Sequence, residues 1–213
     1  MSDMHLITSD TKITAMQYLS DHDPRLASAI TRAGLCSIKP HHDYYRALGD
    51  SIIGQQLSVK AAATIKQRFR DLFGGEFPSP EAILQKSIEE LRTAGLSASK
   101  AGYIQDLAQH ILDGRIDFSD IDSLSNQEII TKLTDVKGIG EWTVHMFLMF
   151  CVGRSDVLAT GDLGVRNGIQ ALYSLEKLPT PQQVTDIAVA NHWHPFESFA
   201  CWYVWHSLDN KPA

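Results

Sequence analysis

The chain has 213 residues, 44% of them hydrophobic and 21% charged, which is ordinary for a globular protein able to bury a core of its own. With 19 basic against 25 acidic residues its formal net charge is −6, which excludes a uniformly basic nucleic-acid binder and makes an enzyme with no nucleic-acid partner the plainest first reading. Three scattered cysteines (Cys36, Cys151 and Cys201) fit neither a disulfide framework nor a zinc site, and no uncharged apolar run is long enough to span a bilayer.

The polar start of the chain has no apolar signal-peptide core, so the expectation is an intracellular, monomeric protein without membrane contact: cytoplasmic in a prokaryote, nuclear in a eukaryote.

The predicted elements are helical throughout. Asp23-Pro24 reads as a cap and first helical residue, with Gly34 as the stop. Tyr44 to about Gln56 is a second helix with Tyr45, Leu48 and Ile52 on one face. Lys60 to Phe73 follows, with Ile65, Phe69 and Leu72 in register before Gly74-Gly75. Ser87 with Glu90 and Ser125 with Glu128 are capping boxes that open two further helices. Between them, Lys100 to Asp113 carries Ile104, Leu107, Ala108 and Ile111 on one stripe. Glu141 to Val152 is mostly apolar and reads as a buried helix. Thr180-Pro181 with Gln183 caps a later helix, and Phe196 to Leu208 is the last. No stretch alternates with period two, so the fold class is all-α.

The most informative segment runs from Leu133 through Lys137-Gly138-Ile139-Gly140 to Trp142-Thr143, and on to Asp162. Two glycines around one apolar residue permit a hairpin too sharp for residues with a Cβ, and they let a phosphate reach the amides that start the next helix. A dinucleotide-binding fingerprint fails here, because Thr143 stands where the third glycine belongs and no strand precedes it. Asp162 suits the N-cap of a helix through Val165 and Ile169, a position that turns its carboxylate outward. Trp142, Trp202, Tyr203 and Trp205 offer aromatic faces, with core packing as the competing use. Adjacent amides at Gln55-Gln56, next to Leu57-Ser58, are odd for a core and read otherwise as a solvated helix end. Lys60, Lys66, Arg68, Lys100, Lys137, Arg154 and Arg166 are available to form a basic face despite the net charge.

These residues together resemble the helix-hairpin-helix DNA glycosylase superfamily, in its compact DNA-3-methyladenine glycosylase II form. The resemblance covers about residues 44–208. It includes the string from Ile52 to Ala62 and Leu91-Arg92-Thr93-Ala94-Gly95-Leu96-Ser97 with Lys100-Ala101. The chain departs from other branches in lacking a four-cysteine cluster near its C-terminus and in having no room for an N-terminal β domain.

The resemblance implies a helical barrel subdomain over residues 44–153, which contains the hairpin. A second helical subdomain is built from 1–43 plus 154–213, and the active cleft lies between the two. Asp162 is implied as the catalytic acid, with Asp156 as the competing carboxylate that braces the loop. Gln56 is implied as the wedge that fills the gap left by a flipped base, with Gln55 and Ser58 beside it on DNA. Lys137, Gly138, Ile139 and Gly140 grip the backbone. Trp142 stands where strand-cleaving members carry a lysine nucleophile, which implies a monofunctional enzyme acting on duplex DNA. Trp142 and Trp205 wall the base pocket, where electron-rich rings attract positively charged alkylated purines such as 3-methyladenine and 7-methylguanine. No cofactor is required. The carbonyls of Thr134, Val136 and Ile139 are implied as holders of a structural Na+ or K+. A glycosylase for other lesions and a non-catalytic hairpin DNA-binding module remain as alternatives; the module needs neither Asp162 nor Trp142.

Overall fold

Small polar residues placed just ahead of apolar periodic runs decide where most of the helices begin. The computed structural model describes residues 6–209. In chain order it contains α1 (Ser9–His22), α2 (Pro24–Ala33), α3 (Tyr44–Gly54), α4 (Val59–Asp71), α5 (Pro80–Leu84), α6 (Ile88–Arg92), α7 (Ala98–Leu112), α8 (Asn126–Thr134), α9 (Glu141–Phe147), a π-helical turn (Leu148–Val152), α10 (Leu163–Leu172), α11 (Pro181–Ala190) and α12 (Glu197–Asp209). Among the described residues the extended pairing is limited to one isolated bridge, Leu6 with Arg154, and the fold is all-α as expected. No helix among them is long and apolar enough to cross a membrane. The expected capping boxes form reciprocally at Ser87/Glu90, Ser125/Glu128 and Thr180/Gln183. Each such cap is worth about 1 kcal/mol.

Several boundaries differ from expectation, among them three with a clear local reason. α3 stops at Gly54, because Gln55 takes an extended ψ and Gln56 a left-handed φ of 57°. α4 starts at Val59, since the Ser58 hydroxyl accepts the Ala61 amide at 3.3 Å. The helix expected over 141–152 changes hydrogen-bond pattern at Leu148, whose carbonyl accepts from both Gly153 (2.8 Å) and Arg154 (2.9 Å). Helices α1 and α5 were not anticipated. α1 opens on a Thr8–Thr11 capping box, a weaker signal than Ser with Glu, and α5 is only five residues long.

The chain divides into two compact units, residues 42–147 and the remainder on either side of them. Residues 1–5 and 210–213, the outermost parts of the expected second subdomain, lie outside the described residues. In the 42–147 unit, α3 packs on α4, α7 and α9, α7 also packs on α5 and α6, and α8 on α9. Their shared core includes Leu48, Ile52, Ile53, Phe69, Ile83, Leu91, Ile104 and Val144. Truncating an aromatic such as Phe69 in such a core costs about 3–5 kcal/mol.

The other unit is organised around α12, which packs on α1, α2 and α10. Phe199, Ala200, Cys201, Tyr203 and Val204 are all fully buried there, the pattern of a helix surrounded by protein. A buried carboxylate must be hydrogen-bonded to be tolerated. Asp23 meets that demand by accepting the Arg25 and Leu26 amides, the Trp193 indole N–H at 2.8 Å and the Tyr173 hydroxyl. Burial, reinforced by Asp23, pushes the Tyr173 phenol well above its ordinary range.

Candidate active site

The hairpin belongs to the 42–147 unit. After α8 the chain turns through two short bonds, Val136 N–H to Leu133 O at 3.2 Å and Ile139 N–H to Val136 O at 3.0 Å. Gly138 adopts φ +85°, and a Cβ there would lie 2.2 Å from the Tyr103 ring, so both backbone and space demand glycine. Gly140 works differently. Its φ is not left-handed, a Cβ there would meet nothing within 4 Å, and its carbonyl starts α9 by accepting from Val144 at 3.1 Å. The sharp turn therefore rests on Gly138, and Gly140 leaves the helix start uncovered.

Asp106 of α7 anchors this turn. Its carboxylate accepts the Lys137 backbone N–H at 2.8 Å and lies 3.7 Å from the Lys137 ammonium, whose side chain is 76% exposed. His110, one turn further along α7, reaches Asp135 at 3.0 Å. On α9, burial pushes His145 below its ordinary pKa, with Glu141 acting in the opposite direction.

The Gln55–Ser58 loop lies in the same unit. The Gln55 side-chain amide donates to the Gly138 carbonyl at 2.7 Å. The Lys100 ammonium donates to Ile53 O at 2.9 Å and Gln55 O at 2.6 Å, and burial lowers its pKa. Gln55, Gln56 and Trp142 share a groove of about 770 Å³, with Asp50, Lys66 and Ala62 also on its walls. Trp142 is 51% exposed, so it is not consumed by core packing.

The carboxylate belongs to the other unit. Asp162 caps α10, its Oδ1 accepting the Val165 amide at 2.7 Å and the Trp205 indole N–H at 2.7 Å. Only 9% of the residue is exposed. Gly164 makes the second bond achievable, because a Cβ there would stand 2.9 Å from the indole. One turn on, a Cβ at Gly168 would stand 2.4 Å from Val204, so α12 approaches α10 closely along two glycines.

The loop before Asp162 is pinned to the start of α12. Ser198 donates to Arg154 O at 2.7 Å and accepts the Val157 amide at 3.1 Å, and Ser155 donates to Pro195 O at 3.0 Å. Asp156 sits within this pinned segment. Burial raises the pKa of Glu197, and Asp156 adds a smaller push in the same direction.

Trp202 is buried and stacked on His206 at 3.7 Å, a packing role. Three of the seven cations named above do structural work. Lys100 is turned onto carbonyls, Arg154 is buried, and Arg166 donates to Pro179 O at 2.7 Å. Lys60, Lys66, Arg68 and Lys137 are left to form a basic face. Sequence reasoning missed Phe150, which stacks on Trp205 with ring centroids 5.9 Å apart and is 37% exposed. A helical pattern gives no reason to single it out. It is placed by the π-helical turn, which no residue pattern announced.

A tight glycine turn between two helices, together with a capped aspartate bonded to a tryptophan, defines a helix-hairpin-helix protein equipped with an acid. The chain belongs to the HhH-GPD superfamily of base excision DNA repair proteins, whose pattern matches residues 50–191. It is 39% identical over 163 residues to DNA-3-methyladenine glycosylase 1 of Schizosaccharomyces pombe, covering 76% of this chain and 71% of that protein. Among solved structures it is similar to a DNA-3-methyladenine glycosidase from Bacillus halodurans, with TM-score 0.81 and 37% identity over 90% of this chain and 87% of that one. It is also similar to the Schizosaccharomyces pombe 3-methyladenine DNA glycosylase in complex with abasic DNA, with TM-score 0.77 and 35% identity over 90% of this chain and 95% of that one.

Proposed function

We propose that this chain is a monofunctional DNA-3-methyladenine glycosylase, which hydrolyses the N-glycosidic bond of alkylated purines in duplex DNA. The observation that carries the reading is Asp162, a shielded carboxylate with one oxygen held by the Val165 amide and the Trp205 indole. Departure of a base leaves oxocarbenium-like charge on the sugar. A fixed anion stabilises that charge and orients or deprotonates the attacking water.

Trp142 has no nucleophilic atom, so no covalent sugar intermediate forms at its position and the product is an intact abasic strand. Trp142 and Trp205 supply the aromatic walls, and the positive charge of an alkylated purine favours their faces. Binding to the DNA backbone rests on the 42–147 unit. Gly138, Ile139 and Gly140, where the turn meets the start of α9, form the phosphate grip. Lys137 adds its charge, while the Gln55–Ser58 loop enters the groove behind the flipped base, Gln56 leading.

No cofactor takes part. The carbonyls of Thr134, Val136 and Ile139 sit at the end of α8 and in the turn, where neutral oxygens suit an alkali cation rather than a transition metal. Val136 O already accepts one N–H and keeps a second lone pair. A Na+ or K+ there would only stiffen the hairpin. The protein acts as a monomer.

Incubation with methylated duplex DNA, followed by identification of the released bases, tests the reading. Release of 3-methyladenine and 7-methylguanine with no borohydride-trapped adduct supports it. Efficient trapping removes the monofunctional claim, and tight binding without any release leaves a non-catalytic DNA-binding module.

A further inference from the structure

Two features proposed to contact DNA, the wedge loop after α3 and the hairpin before α9, are joined by hydrogen bonds that neither function requires. Lys100 projects from α7 beneath the end of α3 and donates to the carbonyls of Ile53 (2.9 Å) and Gln55 (2.6 Å). A cation at a helix C-terminus satisfies carbonyls that have no helical partner and complements the helix dipole. From the same residue whose carbonyl is held, the Gln55 side chain reaches across 83 positions of sequence to the Gly138 carbonyl at 2.7 Å. Gly138 is the residue on which the sharp turn rests. Next along the loop comes Gln56, in a left-handed conformation (φ 57°) that a residue with a Cβ seldom holds without support.

We infer that Lys100 and Gln55 are positioning residues, forming a strut that fixes the Gln56 wedge against the phosphate-gripping hairpin. The inference deepens the glycosylase reading and rests on it. A flipped base can return to the stack, and the plug resists return only if its loop does not yield. The strut ties that loop at its backbone, through Lys100, and at its side chain, through Gly138. Any force on the wedge is thereby passed to the element that holds the DNA backbone. Gln55, whose amide is committed inward, thus acts through Gln56 rather than by reading the groove itself.

The test is a double-mutant cycle on the ratio of single-turnover excision rates from matched and mismatched pairs, because unpairing is already cheaper in a mismatch. Gln55→Leu keeps the size of the side chain and removes the donor. It should lower the matched-to-mismatched ratio roughly three- to tenfold, the worth of one hydrogen bond. Gln56→Ala should lower the ratio further, and the double variant should fall no lower than Gln56→Ala alone. Lys100→Met should reproduce the Gln55→Leu ratio and Lys100→Arg should restore it. If Lys100→Met does not fold, Gln55→Leu, at a half-buried loop position, decides the matter. Losses that multiply in the double variant, or an unchanged ratio in Gln55→Leu, overturn the strut while an active wild type leaves the glycosylase reading standing. A wild-type chain that releases no base from either duplex overturns both.

Discussion

The hairpin unit and the unit that carries Asp162 hold their functional groups by opposite means. In residues 42–147 the proposed working parts are backbone amides and carbonyls, a half-exposed Trp142 and an exposed Lys137, placed by turns and by a few inward hydrogen bonds. In the other unit the proposed working part is one carboxylate, shielded from water and gripped by an indole 43 residues away on α12. An element that grips a polyanion must present itself to solvent and tolerate many sequences. A group that stabilises charge at a single atom must not move, and a low local dielectric strengthens what it does.

The largest expected effect breaks the second half of that contrast. Asp162→Asn keeps the size of the side chain and an oxygen for the Val165 amide, so the fold should survive. It removes the anion proposed to face the developing positive charge, and excision should slow by about 10²–10³. Binding to abasic duplex should persist. Asp156→Asn, in the pinned loop, should retain far more activity. A folded, fully active Asp162→Asn beside a dead Asp156→Asn would move the acid to Asp156.

The two tryptophans sharpen the contrast at the next scale. Trp205→Phe keeps a ring against Phe150 but removes the N–H on Asp162 Oδ1. A hydrogen bond to a charged group is worth about 1.5–3 kcal/mol, so kcat should fall roughly 10- to 100-fold. Trp142→Phe keeps a face in an open groove and should change KM by only a few-fold. Single-turnover rates set against substrate-binding curves separate the two. Equal kcat losses would mean that Trp205 serves only as a wall, like Trp142.

What was legible in the sequence follows the same division. The capping boxes, the Gly34 stop and the hairpin were readable because each is a local rule, decided within three or four residues. The wedge loop and Asp162 drew attention because amides and a carboxylate sat at helix ends, where side chains turn outward. The bond from Trp205 to Asp162, the reach of Gln55 to Gly138 and the inward turn of Lys100 were not readable. Each depends on two elements far apart in sequence coming within 3 Å. The two hairpin glycines looked equivalent in sequence. Their difference appears only with Tyr103, from α7, packed over one of them.

A smaller effect belongs to Lys137. Its ammonium is exposed yet lies 3.7 Å from Asp106, so a phosphate must compete with a carboxylate already in place. Lys137→Ala should weaken binding about equally for damaged and undamaged duplex, and lower the salt slope by less than about one unit. Asp106→Asn keeps an acceptor for the Lys137 amide and should tighten binding at low salt. Salt titrations of affinity measure both, and an unchanged slope in Lys137→Ala would place that side chain away from the phosphates.

The smallest effects concern stability, and they carry opposite signs in the two units. Glu90 is exposed in its capping box. The Ser87 amide, then Lys86 and the Ser87 hydroxyl, hold its pKa down at about 2 against an ordinary 4.5. A depressed carboxyl stabilises the fold above its unfolded pKa, and that contribution is lost as pH falls from about 4.5 toward 2. Glu90→Gln should therefore melt slightly below wild type at neutral pH, and the gap should close through that window. Glu197, at the start of α12, is raised instead, chiefly by burial. Its ionised form is the one the fold disfavours, so its charge costs stability at neutral pH, and that cost disappears below the ordinary carboxyl pKa. Glu197→Gln resembles the protonated form and should melt slightly above wild type at neutral pH, with no difference at pH 4 or below. Melting curves of the two variants from pH 7 to pH 3 would show gaps of opposite sign converging as acid is added. Gaps of the same sign would mean that the His194 contact at 3.0 Å outweighs the burial of Glu197.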